Sequence, residues 1–353
     1  MEIFHCVGAR PAAFFAGNCA AAPYGRGSDG MKEEQERRLE QRLCQEPGGI
    51  AGLVIRKDGE VRWEWYRDGF SAVDCAHVYS VTKSVISVLI GIALAEGRIR
   101  SIDQKVLSFF PDYTPKRGEK TIQNITLRNL LTMTAPYKYK SAPYTKYFSS
   151  AVWVKTALDL LGGKGQIGDF RYTPVIGPDI LSGVLQSATG QTVLAYATEK
   201  LFAPLGFSPK RRYTFPDKDA QLAWYKKERY SGEWIADQTG LNTAGWGLTL
   251  TAGEMARLGQ LCLDGGVWQG RRLIPAEWVN QSTTVQSRWA QAGLGYGYLW
   301  WIPEEHCFAA LGDGGNAIYV NKAKRLVVSV AAGFKRRVPD RISFIKEQIE
   351  PLF

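Results

Sequence analysis

Ser80 and Lys83 stand three positions apart at the head of a long apolar run, Val85-Ile86-Ser87-Val88-Leu89-Ile90-Gly91-Ile92-Ala93-Leu94-Ala95. On a helix that spacing puts both side chains on one face, with Cβ atoms about 5–6 Å apart. The run is apolar on nearly every side, which predicts a buried helix ended by Gly97. A lysine in the first turn of such a helix is costly as a cation and sheds its proton readily. A neutral amine beside a hydroxyl is a base beside a nucleophile, and the free N–H groups of a helix N-terminus favour negative charge developing there. The chemistry this predicts is acyl transfer through serine. Each residue also has a reading without chemistry: serine caps helices well, and a first-turn lysine can reach solvent with its head group. Ser-x-x-Lys is short enough to arise by chance about once in a chain of this size, so its surroundings must decide.

Two rivals lie just upstream. His77 is three residues before Ser80 and invites a Ser-His pair, and Cys75 is a second nucleophile type. The chain has no Gly-x-Ser-x-Gly elbow, so both rank below Lys83. The remaining histidines, His5 and His306, are too far apart to imply a zinc site. The six cysteines are dispersed with no CxxC pair, and reduced thiols are expected.

The elements that must position Ser80 follow from patterning. Lys32 to Leu43 reads as an amphipathic helix closed by Pro47-Gly48-Gly49. Ile50 to Arg56 and Val61 to Tyr66 read as a strand pair joined at Asp58-Gly59. Past Gly97, Thr126 is expected to cap a short helix. The tyrosine-rich stretch 136–150 is expected to be an exposed loop walling a cleft. Helices follow over Ala151–Leu161, Gly177–Thr189 and Val193–Phe202. Tyr225 to Asp237 reads as a hairpin turning at Ser231-Gly232. Ala252–Leu263 is a helix, Pro275 starts another, and Tyr296–Ile302, Cys307–Leu311, Ala317–Val320 and Arg325–Ala331 are strands. A closing helix runs from Arg341 to Ile349. The result is an α+β chain: a sheet domain from residues 31–110 and 240–353, and a mostly helical domain from 111–239 inserted between them.

At 353 residues two lobes are expected, with a site in the cleft between. The net charge of +10 is spread in small groups such as Lys210-Arg211-Arg212 and Lys335-Arg336-Arg337. No nucleic-acid module accompanies them, so solvated faces are expected and nucleic acid is not a partner. No stretch is apolar enough to span a bilayer. Residues 1–30 lack a basic n-region and a sustained apolar core. They are expected to be a disordered leader or an over-extended start ahead of Met31, in a cytoplasmic protein.

Three runs in collinear order carry a resemblance: Tyr79-Ser80-Val81-Thr82-Lys83-Ser84; Phe170-Arg171-Tyr172-Thr173-Pro174 leading to Ala188-Thr189-Gly190; and Ala244-Gly245-Trp246-Gly247-Leu248-Thr249. With Leu258 to Trp278 they look like the class C β-lactamase and penicillin-binding-protein-like serine hydrolases, in the branch of nylon-oligomer hydrolases and carboxylesterases. The resemblance covers roughly residues 48–335. It implies a β-lactamase/transpeptidase-like fold, an antiparallel five-stranded sheet flanked by helices plus a helical domain. It also implies Ser80 as nucleophile, Lys83 as base and Tyr172 as proton relay. The third motif falls on Ala310-Leu311-Gly312 and runs on to Gly314. The backbone N–H groups of Ser80 and Asp313 then form the oxyanion hole. Trp246, Tyr137 and Tyr296 are candidate walls of the substrate pocket. A phenol acts as a base only where a cation lowers its pKa, and Lys83 is the candidate for that.

Two departures narrow the expectation. Pro174 stands where relatives place Asn, and Ala310 where they place the Lys or His that anchors a substrate carboxylate. Both weigh against β-lactamase or D-amino-acid peptidase activity and leave the acylating groups untouched. The expected protein is a serine hydrolase cleaving a small ester or amide through an acyl-enzyme, with no metal or organic cofactor. A non-catalytic, pocket-retaining sensor is the alternative from another class. Oligomeric state and natural substrate are not legible.

Overall fold

The computed structural model describes residues 33–46, 49–335 and 338–353; the leader of residues 1–30 lies outside these. Eight antiparallel strands form one sheet. In spatial order they are Glu60–Tyr66, Ile50–Lys57, Leu326–Ala332, Asn316–Asn321, Cys307–Gly312, Trp301–Glu304, Leu294–Tyr296 and Ser287–Trp289. The first two are joined through Asp58 and Gly59 at φ 53° and 88°, the left-handed geometry that a two-residue hairpin needs. Leu326–Ala332 is buried along its whole length, as befits a strand covered on both faces. The first five strands have six to eight residues, and the last three only three or four. The expected five-stranded sheet is therefore present, extended at one edge.

That extension explains one misread segment. Tyr296–Ile302, expected as a single strand, is a hairpin whose turn holds Leu299 at φ 62°. The Gly297 N–H donates to the Trp300 carbonyl at 2.8 Å. A Cβ on Gly297 would sit 2.0 Å from the Ser282 carbonyl oxygen, so close packing against the helix Ala276–Ser282 demands glycine there.

A second expected hairpin, Tyr225 to Asp237, does not form. Asp217 caps the Ala220 N–H at 2.7 Å and starts a helix over Lys218–Tyr225. Glu233–Ile235 then pairs in parallel with Arg211–Tyr213. The Tyr230 N–H donates to the Cys75 carbonyl at 3.0 Å, pinning the connection to the segment just before Ser80. The stretch 136–150 is not uniformly exposed either: Tyr144–Phe148 is a short helix, and Tyr137 and Tyr147 are buried.

The other helices lie where patterning put them. Thr126 and Asn129 form a reciprocal capping box before Leu127–Leu131, as Thr251 and Glu254 do before Ala252–Leu263. Ile176–Thr189 ends on Gly190 at φ 71°. Glu254 also pairs with Lys210 at 2.7 Å, both side chains almost fully buried. Lys210 is thus an internal ion-pair partner rather than part of a solvated basic face. Cys75, Cys262 and Cys307 are buried free thiols, whereas Cys44 is disulfide-bonded, so the expectation of reduced thiols fails at Cys44. No helix among the described residues is long and apolar enough to cross a membrane.

Candidate active site

Ser80 sits in a 3₁₀ turn, Tyr79–Val81, that leads into the buried helix Thr82–Ala95. No side chain caps either start, so the Ser80 hydroxyl is not acting as an N-cap. Tyr79 holds φ 47°, a left-handed conformation that costs a bulky residue about 1–3 kcal/mol. The neighbours fix it. The Thr82 hydroxyl donates to the Tyr79 carbonyl at 2.7 Å, and the Tyr79 ring lies 3.8 Å from the His77 ring. The strained turn aims Ser80 away from the helix and over its first turn.

Lys83 meets it there. Its Nζ lies 2.7 Å from Ser80 Oγ and donates to the Gly245 carbonyl at 2.9 Å. The side chain is 2% exposed, so it does not reach out to solvent. Burial pushes its pKa down to about 7, while the nearby Asp313 and Asp179 carboxylates pull it back up. At neutral pH a large share of Lys83 is therefore the free amine, a base within hydrogen-bond reach of the serine proton.

Tyr172 is held by its neighbours in sequence. The Arg171 N–H donates to the Met133 carbonyl at 2.7 Å and the Arg171 guanidinium to the Tyr137 carbonyl at 3.1 Å. The Tyr172 side chain lies beside Ser80, which acts to lower its pKa, and Lys83 Nζ lies 5.4 Å from its ring centroid. Burial drives the phenol far above its ordinary range, and Asp313 adds to this. The expectation that Lys83 lowers it does not hold: desolvation is the largest cause, and Asp313 and Tyr144 push in the same direction. Tyr172 is therefore protonated near neutrality, and Lys83 is the group beside Ser80 whose pKa is lowered.

The strand Cys307–Gly312 closes the site. Gly312 ends it so close to the Ser80 segment that a Cβ would lie 2.2 Å from the Val78 carbonyl oxygen. Asn316 clasps the two together: its Nδ2 donates to the carbonyls of Asp313 at 2.9 Å, Ala332 at 3.1 Å and His77 at 3.3 Å. Gly314 takes φ 78° in the turn, against the Gly333 carbonyl. Ala310 is buried in the strand opposite Ile318. Asp313 and Ser80 line one small pocket with Phe148, Val175, Tyr225 and Trp246.

Of the expected pocket walls, only Trp246 borders that space. Tyr137 is buried, its ring tilted at 5.5 Å from that of Tyr139. Tyr296 packs 6.3 Å from Tyr172 and 4.8 Å from Trp301, supporting the Tyr172 ring from behind. The rivals are otherwise engaged. His77 Nε2 accepts from the Gly247 N–H at 3.0 Å, and burial pushes its pKa down to about 3. Burial pushes the Cys75 thiol up to about 11, so it carries no thiolate near neutrality.

Asp179 is the residue that sequence reasoning missed. It is buried on the helix Ile176–Thr189 and accepts from the Ala244 N–H at 2.7 Å, the Gly245 N–H at 2.9 Å and the Tyr147 hydroxyl at 2.8 Å. Burial pushes its pKa up to about 6, against those three donors and Lys83. It fixes the loop whose Gly245 carbonyl holds Lys83. The signal in the sequence was one acid inside an otherwise apolar helix, Ile176-Gly177-Pro178-Asp179-Ile180-Leu181. Among the described residues no group of three or more His, Cys, Asp and Glu side chains could hold a metal ion.

The beta-lactamase family model matches residues 37–343. The chain belongs to that family, and its fold is the β-lactamase/transpeptidase-like one. Among curated proteins it is 28% identical over 270 residues to the 6-aminohexanoate-dimer hydrolase of Paenarthrobacter ureafaciens, covering 73% of this chain but only 62% of that protein's length. Among solved structures, a penicillin-binding protein homologue from Caulobacter crescentus superposes with a TM-score of 0.70 at 18% identity, over 92% of this chain and 99% of the other. A family VIII carboxylesterase gives 0.69 at 14% identity, over 91% and 97%. At such identities the two structures speak for the fold alone.

Proposed function

We propose that the chain is a serine acyl-hydrolase that cleaves a small ester or amide through an acyl-enzyme on Ser80. The observation that carries this is the 2.7 Å contact between Ser80 Oγ and the buried amine of Lys83. Ser80 Oγ attacks the substrate carbonyl as Lys83 takes its proton. The backbone N–H groups of Ser80 and Asp313 hold the resulting oxyanion. Collapse of the intermediate expels the alkoxide or amine, which takes a proton from Tyr172, and the Lys83 ammonium restores the phenol. Water then attacks the acyl-enzyme with Lys83 again as base, releasing the acid and free Ser80. The names of the 6-aminohexanoate-dimer hydrolase and carboxylesterase relatives support hydrolysis of amides and esters as the reaction class.

Labelling with a fluorophosphonate, read by intact mass, tests the reading. Wild type should gain one phosphonyl group and Ser80→Ala none; equal labelling of both would remove Ser80 from the mechanism.

A further inference from the structure

The pocket beside Ser80 has two unlike walls. One is aromatic: Phe148 meets Trp246 edge to face at 5.5 Å, and Tyr225 stacks on Trp246 at 5.8 Å. The other is the acid Asp313, in the turn directly after the strand that ends on Gly312. Among the described residues no hydrogen bond or ion pair engages the Asp313 carboxylate, and Lys83 is the described cation whose field reaches it. A carboxylate flanked by aromatic faces in a largely desolvated pocket is the chemistry that recognises an ammonium group.

The position of Asp313 sharpens the point. In the acyl-hydrolase reading its own N–H stabilises the oxyanion, yet its carboxylate is a like charge close to the same developing anion. With a neutral substrate that charge opposes the transition state. A substrate cation held against the carboxylate cancels the opposition and adds attraction from the rings. We propose that Asp313, with Phe148, Tyr225 and Trp246, selects substrates that carry an ammonium group close to the scissile carbonyl. The proposal rests on Ser80 being the acylated residue and goes beyond it by naming the substrate class. Like charge also disfavours carboxylate-bearing substrates, in keeping with the buried Ala310 in place of a cationic anchor.

Acetylthiocholine and 3,3-dimethylbutyl thioacetate test it, since they match in shape and differ in one positive charge; both release a thiol read with Ellman's reagent. The wild type should favour the charged ester in kcat/KM by about tenfold or more. In Asp313→Asn the ratio should fall towards one, with the charged ester slowed and the neutral one quickened. A ratio near one in the wild type, or a preference that survives in Asp313→Asn, overturns the proposal. A role for Asp313 confined to balancing Lys83 would change both esters alike and leave the ratio fixed. The same comparison can be read without turnover, as protection of Ser80 from fluorophosphonate by phenyltrimethylammonium against neutral tert-butylbenzene. Labelling that neither compound slows preferentially sinks this proposal alone, whereas no labelling at Ser80 sinks the hydrolase reading with it.

Discussion

Lys83 Nζ lies 2.7 Å from Ser80 Oγ and 2.9 Å from the Gly245 carbonyl, so one buried amine joins the Ser80 segment to the loop opposite. Burial lowers its pKa from 10.5 to about 7. At pH 7 that raises the free-amine share from roughly one in three thousand to about half. In the proposed mechanism the free amine is the reactive form, so activity should rise with pH. The kcat/KM for a neutral ester should climb through a limb centred near pH 7 and level off above it. Lys83→Ala should lose about 10²–10⁴-fold. A profile flat down to pH 5 would exclude Lys83 as the base.

Tyr172 lies beside Ser80 but stays protonated because burial raises its pKa. Its service is then to the leaving group. Tyr172→Phe should slow an ethyl ester, whose alkoxide needs a proton, by about 10²–10⁴-fold. A p-nitrophenyl ester of the same acid, whose phenolate leaves unaided, should be slowed far less. Equal loss on both esters would show that Tyr172 acts on the attack of Ser80 instead.

Most of this scaffold was legible because local chemistry specified it. Asp58-Gly59 dictated a tight hairpin, Thr126 and Thr251 marked helix starts, and the apolar run after Ser84 announced a buried helix. The meeting of Ser80 with Lys83 followed from their spacing, and the collinear runs placed Tyr172 beside them. The segments that misled were those decided by distant partners. Tyr296–Ile302 alternates like a strand, but its turn is set by packing of Gly297 on Ser282. Glu233–Ile235 pairs with Arg211–Tyr213, twenty-two positions upstream at Glu233 and Arg211. Asp179 stood out only as an acid in an apolar helix and Asn316 not at all, because each bonds backbone groups remote in sequence and nothing local names those partners.

Asp179 acts through Gly245 and through its own field on Lys83. Asp179→Asn brings an amide N–H₂ towards three donors and leaves at least one unmet, at a cost of about 1–3 kcal/mol; Tm should fall accordingly. The field effect has a separate sign. Removing a negative charge lowers the pKa of Lys83, so the acid limb of kcat/KM should move below its wild-type midpoint. Residual activity would then be retained to lower pH even as the maximal rate drops. A limb that stays at the wild-type midpoint would make Asp179 a purely structural residue.

Gly312 is where the strand Cys307–Gly312 and the Ser80 segment touch. An added Cβ would lie 2.2 Å from the Val78 carbonyl oxygen and 3.3 Å from the Asn316 Cβ. The first neighbour is backbone and the second belongs to the side chain that clasps the turn, so neither gives way cheaply. In Gly312→Ala the strand end must back away from Val78, carrying the Asp313 N–H away from the oxyanion position of the proposed mechanism. A displacement of about 1 Å at a reacting centre can cost about 10²-fold, and kcat should fall by that order with the sheet still folded. Gly333→Ala is the matched comparison, because nothing lies within 4 Å of its Cβ position and its φ is not positive. That variant should keep its activity and gain about 0.4–1 kcal/mol from a less flexible unfolded chain. Steady-state kinetics with denaturant melts on both variants separate the two effects, and a fully active Gly312→Ala would show that Asp313 needs no such close approach.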